Sequence, residues 1–349
     1  MRLGRALLTA WGIASLVFLA MHLLSAPNEQ LLGDPSELSN AASLSTTASR
    51  LAARQALRHR LGLDEPVFYF TRSAGPPVRW QWHGSHNQYH HWLSQLLHGN
   101  LGYSYRTSQP VATLLASALT YSVPLMTLAA VSAAGLAIWL ALGLANAPAT
   151  QGGWRGITRT LLTGVQALPL FTLALALLLL LANPDLLNIL PADGMDATYP
   201  PLGGGAWLAS YGAHVALPLL SLVLAVLPEL TLPLEAALRH ELRAGYASTA
   251  HAKGLTNWQV LRRHALPNAL LPLLTTFTGL LPNLVAGAVV VEVLFALPGT
   301  GRLLAEAAAT HDYPVVIASV LLTAAARLLA LLLADILYFW TDPRLRPSA

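Results

Sequence analysis

Five histidines crowd one polar stretch of the chain: His83, His86, His90, His91 and His98. Imidazole is a good ligand for nickel and zinc, and His86 and His90 stand four apart, the spacing of neighbours on one helical face. Trp80, Trp82, Tyr89 and Trp92 interleave with them. That mixture equally describes an amphipathic segment resting at a membrane surface, so metal binding and interfacial anchoring compete for it. Other chemistry is poorly served. The chain has no cysteine, which excludes disulfides, thiolate metal sites and cysteine nucleophiles. No GxxxxGK[ST] is present, so the chain holds no ATP-hydrolysing phosphate loop of its own; Gly299-Thr300-Gly301-Arg302 shares only the glycines. His240-Glu241 lacks the second histidine of HExxH, and no GxSxG occurs, which leaves an intramembrane hydrolase with little support. Five ionisable residues sit inside apolar runs: Glu229, Glu235, Glu292, Arg327 and Asp335. Charge is costly in lipid, so each is a candidate for function or for a structural ion pair. Arg327 and Asp335 are eight apart and share one helical face.

The elements that must position these residues are membrane spans. Hydrophobic residues make up 54% of the 349-residue chain and charged ones only 10%, against about 25% charged in soluble domains. Mean hydropathy is +0.52, and several apolar runs reach the roughly 20 residues that a bilayer crossing needs. The pI of 9.6 rests on arginine, with Lys253 the single lysine; in such a chain basicity bears on orientation. Six spans are expected: 6–24, 111–145, 160–182, 214–234, 268–297 and 317–340. A signal peptide competes for the first, with Ser25-Ala26 as a cleavage region, but its apolar run is long and further spans follow. Residues 26–110 form one long polar segment with an amphipathic helix expected over 44–63. The short loop 146–159 carries Arg155 and Arg159, and the loop 236–267 carries Arg239, Arg243, Lys253, Arg262 and Arg263. Both are expected on the cytoplasmic side, as are both termini, while 183–213 is acidic and external. The organisation read from this is a first transmembrane helix (1–25), an extracytoplasmic segment (26–110), a five-helix core (111–341) and a cytoplasmic tail (342–349).

Within the core, residues 245–272 stand apart: GYASTAHAKGLTNWQVLRRHALPNALLP is polar and basic between two apolar segments. A short helix is expected over 246–253, stopped by Gly254 in a left-handed conformation. Thr256 or Asn257 caps a second helix, 258–266, and Pro267 and Pro272 mark re-entry into the next span. Ala247, Ala250 and Ala252 offer a surface that another helix or subunit can approach closely.

Those residues carry a resemblance. TAHAKGL followed by RRHALPNALLP resembles the "EAA" loop of ABC-importer permeases, in the form found in dipeptide, oligopeptide and nickel importers, YVRTARAKGL…RHALRNALLP. The match continues along the chain: LGLDEP (61–66), WLSQLLHGNLGY (92–103), Gln109-Pro110-Val111, ALPLFTLAL (167–175), GAVVVEVLFALPGTGRLL (287–304), Asp312-Tyr313-Pro314-Val315-Val316 and Asp342-Pro343-Arg344. The sequence departs from the pattern at Gly245, His251, Pro267, Leu232 and Glu235.

The resemblance implies an all-α polytopic membrane protein of type I importer form, located in the bacterial cytoplasmic (inner) membrane. It implies a docking loop for a separate ATPase subunit made of Tyr246, Ala247, Thr249, Ala250, Ala252, Lys253, Gly254 and Leu255. It implies as partners a second permease subunit, two ATP-binding subunits and an extracytoplasmic solute-binding protein, with ATP bound by partners and no cofactor on this chain. A translocation path is sketched by Thr275, Thr278, Asn283 and Glu292. Peptides or peptide-like solutes are the expected cargo, with nickel or another metal as the alternative. A secondary transporter driven by an ion gradient is the reading from another class; an ATPase partner separates the two.

Overall fold

The computed structural model describes residues 8–9, 11–16, 18–19, 65–72, 79–146, 153–191 and 205–341, with the side chains of 205–211, 271–275, 277–282, 333–335 and 337–341 excepted. The expected helix 44–63, the tail 342–349 and much of the first span lie outside these residues. The described chain is dominated by helices: α1 (Gln88–Leu97), α2 (Val111–Ala145), α3 (Trp154–Gln166), α4 (Leu170–Leu181), α5 (Gly205–Glu241), α6 (Gly245–Ala252), α7 (Asn257–Val260), α8 (Leu266–Leu294), α9 (Thr300–Ala309) and α10 (Tyr313–Thr341). Three of them are long and apolar enough to cross a membrane over Val111–Ala145, Gly212–Glu241 and Tyr313–Leu332, and α3 with α4 makes a fourth if the bent pair counts as one span.

Two compact units form. The first comprises residues 1–115 and 306–321. Its centre is aromatic: Phe18 stacks on Trp92 at 5.1 Å and meets Tyr89 edge-on at 5.4 Å, and Ile317 and Leu321 pack on the same cluster. A small antiparallel hairpin, β1 (Phe70–Arg72) and β2 (Trp80–Trp82), pairs Phe70 with Trp82. Asn87 caps α1 by accepting from the His90 amide at 2.8 Å. Asp312 is buried and accepts from the Ser104 hydroxyl at 2.5 Å and the Tyr105 amide at 3.1 Å, so it holds the turn that precedes α2. Burial and the Asp312 carboxylate push the Tyr105 phenol up to about 12.

The second unit, 116–305 and 322–349, holds the membrane core. Helix α2 buries Ala129, Ala133, Ala137, Ala141 and Ala145, one residue per turn. Small side chains on one stripe let backbones approach closely, which is how helices associate in lipid, where apolar burial drives little. Ala129, Ala133 and Ala137 share one buried cluster with Leu217, Leu222, Leu230, Leu284 and Val291. Gly287 is required where α8 crosses α4 and α5: a Cβ there would lie 2.9 Å from Leu170 and 3.3 Å from Leu222.

Three expectations are corrected. The third span, expected as one helix over 160–182, is broken: α3 and α4 meet at 114°. Pro169 is the cause. It has an extended ψ of 143°, and a proline disfavours helical geometry at the preceding Leu168. Alone, α4 is about 18 Å long, short of a 30 Å hydrocarbon core. The fourth span is longer than 214–234, because helix α5 starts at Gly205 and ends at Glu241 with Pro218, Pro228 and Pro233 inside it; such prolines are tolerated where neighbouring helices satisfy the freed carbonyls. The third correction is at Pro267, which does not separate two helices. The helix runs on from α7 into α8 through a π-helical turn, Leu261–Ala265, in which the Leu266 amide reaches back to the Leu261 carbonyl. Pro267 supplies no amide to residue 263, and a widened turn absorbs that loss.

Candidate functional site

The 245–266 loop is built by two interlocking stops. Helix α6 ends in the glycine-capped form: Gly254 has φ +83°, its amide donates to the His251 carbonyl at 2.9 Å, and the Leu255 amide reaches the Ala250 carbonyl at 3.3 Å. No atom lies within 4 Å of a Cβ built at Gly254, so backbone conformation alone demands glycine there. Helix α7 opens with a capping box. Thr256 accepts from the Gln259 amide and Gln259 accepts from the Thr256 amide at 2.9 Å, which settles the choice between Thr256 and Asn257.

These stops fix which residues face outward. Ala247 and Ala250 are buried against Val260, with Leu242 and Leu255 packed beside them. The expectation that both alanines offer a docking surface is therefore corrected: they are buried in the internal contact between α6 and α7. The outward face is Tyr246, Thr249, Ala252, Lys253 and Gly254, with His251 and Trp258. Arg243, Arg262, Arg263 and His264 are also exposed, the last three in succession on the π-helical turn. The Tyr246 hydroxyl donates to Glu241 at 2.5 Å and accepts from Asn268 at 3.3 Å. Partial burial, then the bond to Glu241, raises the Tyr246 phenol above its ordinary value. The result is a basic, aromatic surface on a rigid base.

The base is an ion cluster that sequence reasoning treated as scattered charges. Glu235 is buried and lies between Arg159 of α3 and Arg239 of α5: it accepts from Arg159 Nε at 3.1 Å and from Arg239 Nε at 2.8 Å, and also pairs with the Arg159 terminal nitrogen. Arg239 continues to the Leu144 carbonyl at the end of α2, 2.8 Å, and Asn257 reaches Asn146 at 2.9 Å. The two basic loops, 146–159 and 236–267, thus meet at one end of the bundle. Only the charge signs and the 235/239 spacing pointed to this in the sequence; the third partner comes from a different helix.

Of the residues sketched as a path, Thr275 and Thr278 lie on α8 with side chains outside the described residues, Asn283 is exposed, and Glu292 is 1% exposed. Glu292 is a fastener rather than an open side chain. It accepts from the Ser122 hydroxyl at 2.6 Å and from the Gly301 amide at 2.7 Å, while the Thr300 amide donates to Ser122 at 2.8 Å. The GTGR loop therefore does hold an acidic group, but that group is the chain's own Glu292 carboxyl. A Cβ at Gly299 would lie 2.2 Å from the Glu292 carboxyl carbon, and one at Gly301 would lie 2.3 Å from Val289 Cα.

The histidines do not converge. His86 precedes α1, so it forms no helical pair with His90. His83 bonds Thr71 at 2.6 Å, His90 bonds Tyr69 at 3.1 Å, His91 lies 3.3 Å from Glu65, and His98 reaches the Ser94 carbonyl at 2.7 Å. Among the described residues no group of three or more His, Asp or Glu could hold a metal.

Comparison with known proteins agrees with the motifs. Residues 134–347 match the family described as "Binding-protein-dependent transport system inner membrane component". The chain is 29% identical to the probable D,D-dipeptide transport system permease protein DdpB of Escherichia coli (strain K12), covering 96% of this chain and 93% of that one. It is 32% identical to the glutathione transport system permease protein GsiC of Pectobacterium atrosepticum, covering 95% and 92%. To the oligopeptide transport system permease protein AppB of Bacillus subtilis it is 32% identical, over 74% and 79%. With its apolar helices, its end-to-end match and its basic loop between spans, the chain belongs to the binding-protein-dependent transport system inner membrane components, the permease subunits of ABC importers.

Proposed function

We propose that this chain is the permease subunit that carries di- or oligopeptides, or peptide-like solutes, inward across the bacterial cytoplasmic membrane. It is a transport subunit rather than an enzyme, and ATP hydrolysis belongs to partner subunits. The observation that carries the docking part of the proposal is the outward face of 245–266, held by the Gly254 stop, the Thr256 cap and the Glu235 cluster. Tyr246, Thr249, Ala252, Lys253, Gly254, Trp258 and the arginines of the π-helical turn form the surface that meets an ATPase subunit. Leu255, half-buried, anchors it from below. Two such subunits, a second and non-identical permease, and an extracytoplasmic binding protein complete the assembly. ATP-driven closure of the ATPases draws the loops together, and the spans turn outward.

Peptide cargo is supported by the relatives' names and by the dispersal of the histidines onto separate partners. The test is uptake by cells expressing the whole system. Labelled dipeptide or tripeptide should accumulate, at a rate changed less than twofold by joint His86→Ala and His90→Ala substitution. Nickel or zinc uptake that collapses in that variant, without peptide uptake in either strain, overturns the assignment.

A further inference from the structure

Two side chains that bracket helix α6 close on the end of helix α2. Arg239, in the last turn of α5, precedes α6, and Asn257, the first residue of α7, follows it. Arg239 donates from a terminal guanidinium nitrogen to the Leu144 carbonyl at 2.8 Å. Asn257 donates to the Asn146 side-chain oxygen at 2.9 Å and lies 3.4 Å from its carbonyl. Helix α2 ends at Ala145, and the last four carbonyls of a helix find no amide within it. Leu144 is 0% exposed, so Arg239 serves its carbonyl where water cannot. A guanidinium also suits the negative end of the helix dipole.

Apolar contacts join the same parts. Ala141, Leu142 and Ala145 of α2 share a buried cluster with Leu238, Leu261 and Ala265. Such packing holds surfaces together without direction, and a stripe of alanines offers little relief against one helix turning on the next. Hydrogen bonds do have direction. One polar clasp would leave a pivot, whereas two on either side of α6 fix the angle between the loop and α2. Neither bond uses the capping box of α7, which Thr256 and Gln259 make on their own.

We infer that Asn257 is a positioning residue for transport: through Asn146 it joins the 245–266 docking surface to α2, so that a pull on the loop turns α2 with it. The inference rests on the docking role proposed above and names the joint through which that role acts. Loss of the joint leaves ATP hydrolysis running and lets the loop move without the span.

The test uses the complete transporter in reconstituted vesicles, with partner subunits free of cysteine. Spin labels at Ser248→Cys on α6 and Trp139→Cys on α2, both exposed positions, report the distance between loop and span. Trapping with ATP and vanadate should leave that distance unchanged with both asparagines present, and should shift it once Asn146→Ala and Asn257→Ala are added. This readout does not depend on the cargo. In the unlabelled double-alanine variant, ATP hydrolysis should stay within about twofold of wild type while ATP used per peptide imported rises roughly fivefold or more, the size of an ordinary coupling energy. In the pair Asn146→Cys and Asn257→Cys, a short bifunctional methanethiosulfonate should restore the wild-type ratio. Import blocked by that cross-link would mean that the two ends part during the cycle, and overturns the inference. So does a double-alanine variant with an unshifted distance and a normal ratio. A matched fall in complex recovery, hydrolysis and import would reduce the bond to a fold contact and overturns it as well. A wild-type chain that retains no ATPase subunit would instead sink the docking role itself.

Discussion

Gly254 shows how a single conformational demand can be separated from a contact. Its φ of +83° strains any residue with a side chain, while the space around it is open. Gly254→Ala therefore tests only the turn, at a cost of about 1 kcal/mol. Gly254→Asp adds a charge to the outward face. We predict that the alanine variant transports at a rate within a few-fold of wild type, whereas the aspartate variant inserts normally but loses transport-coupled ATP hydrolysis by tenfold or more. Equal behaviour of the two, measured in reconstituted vesicles, would refute the docking role. The glycine was legible in the sequence because AKGL ends a helix by a rule that depends on one residue type. Which alanines face inward was not legible, since Ala247, Ala250 and Ala252 are chemically identical and only the packing of Val260 distinguishes them.

Helices here were readable in existence and misread at their joints. Apolar runs announce spans, but Pro169 breaks one at 114° while Pro218, Pro228 and Pro233 leave another continuous. A proline is tolerated in a membrane helix where neighbours satisfy the freed carbonyl, a condition that no local pattern records. Contacts between elements were hidden for the same reason. Glu235, which departs from the family pattern, ties α3 to α5 through Arg159 and Arg239. Glu235→Ala leaves two guanidinium groups facing each other without their shared carboxylate. Both arginines keep some solvent access, so the loss should be about 1–3 kcal/mol rather than the full value for a buried pair. A thermal melt in detergent should fall by several degrees; an unchanged melt would mean that the cluster contributes nothing to joining the helices.

For the whole molecule, orientation is the first property to check. The two basic loops meet at one end of the bundle, and the aromatic unit is built from the long polar segment. We predict that the loops face the cytoplasm and the polar segment faces outward. Because the chain has no cysteine, a single one can be placed at Ser85 or at Ser248, both exposed. An impermeant thiol reagent applied to intact cells should label the first and spare the second; the opposite pattern would invert the topology. The aromatic unit also carries a consequence for biogenesis. Its closing bond, Ser104 to Asp312, joins residues 208 positions apart. A ribosome adding roughly 5–20 residues per second leaves that turn unpartnered for on the order of 10–40 s after it is made. During that interval the aromatic cluster also lacks Ile317 and Leu321. A chain that stalls before residue 312 is thus left with that domain unfinished.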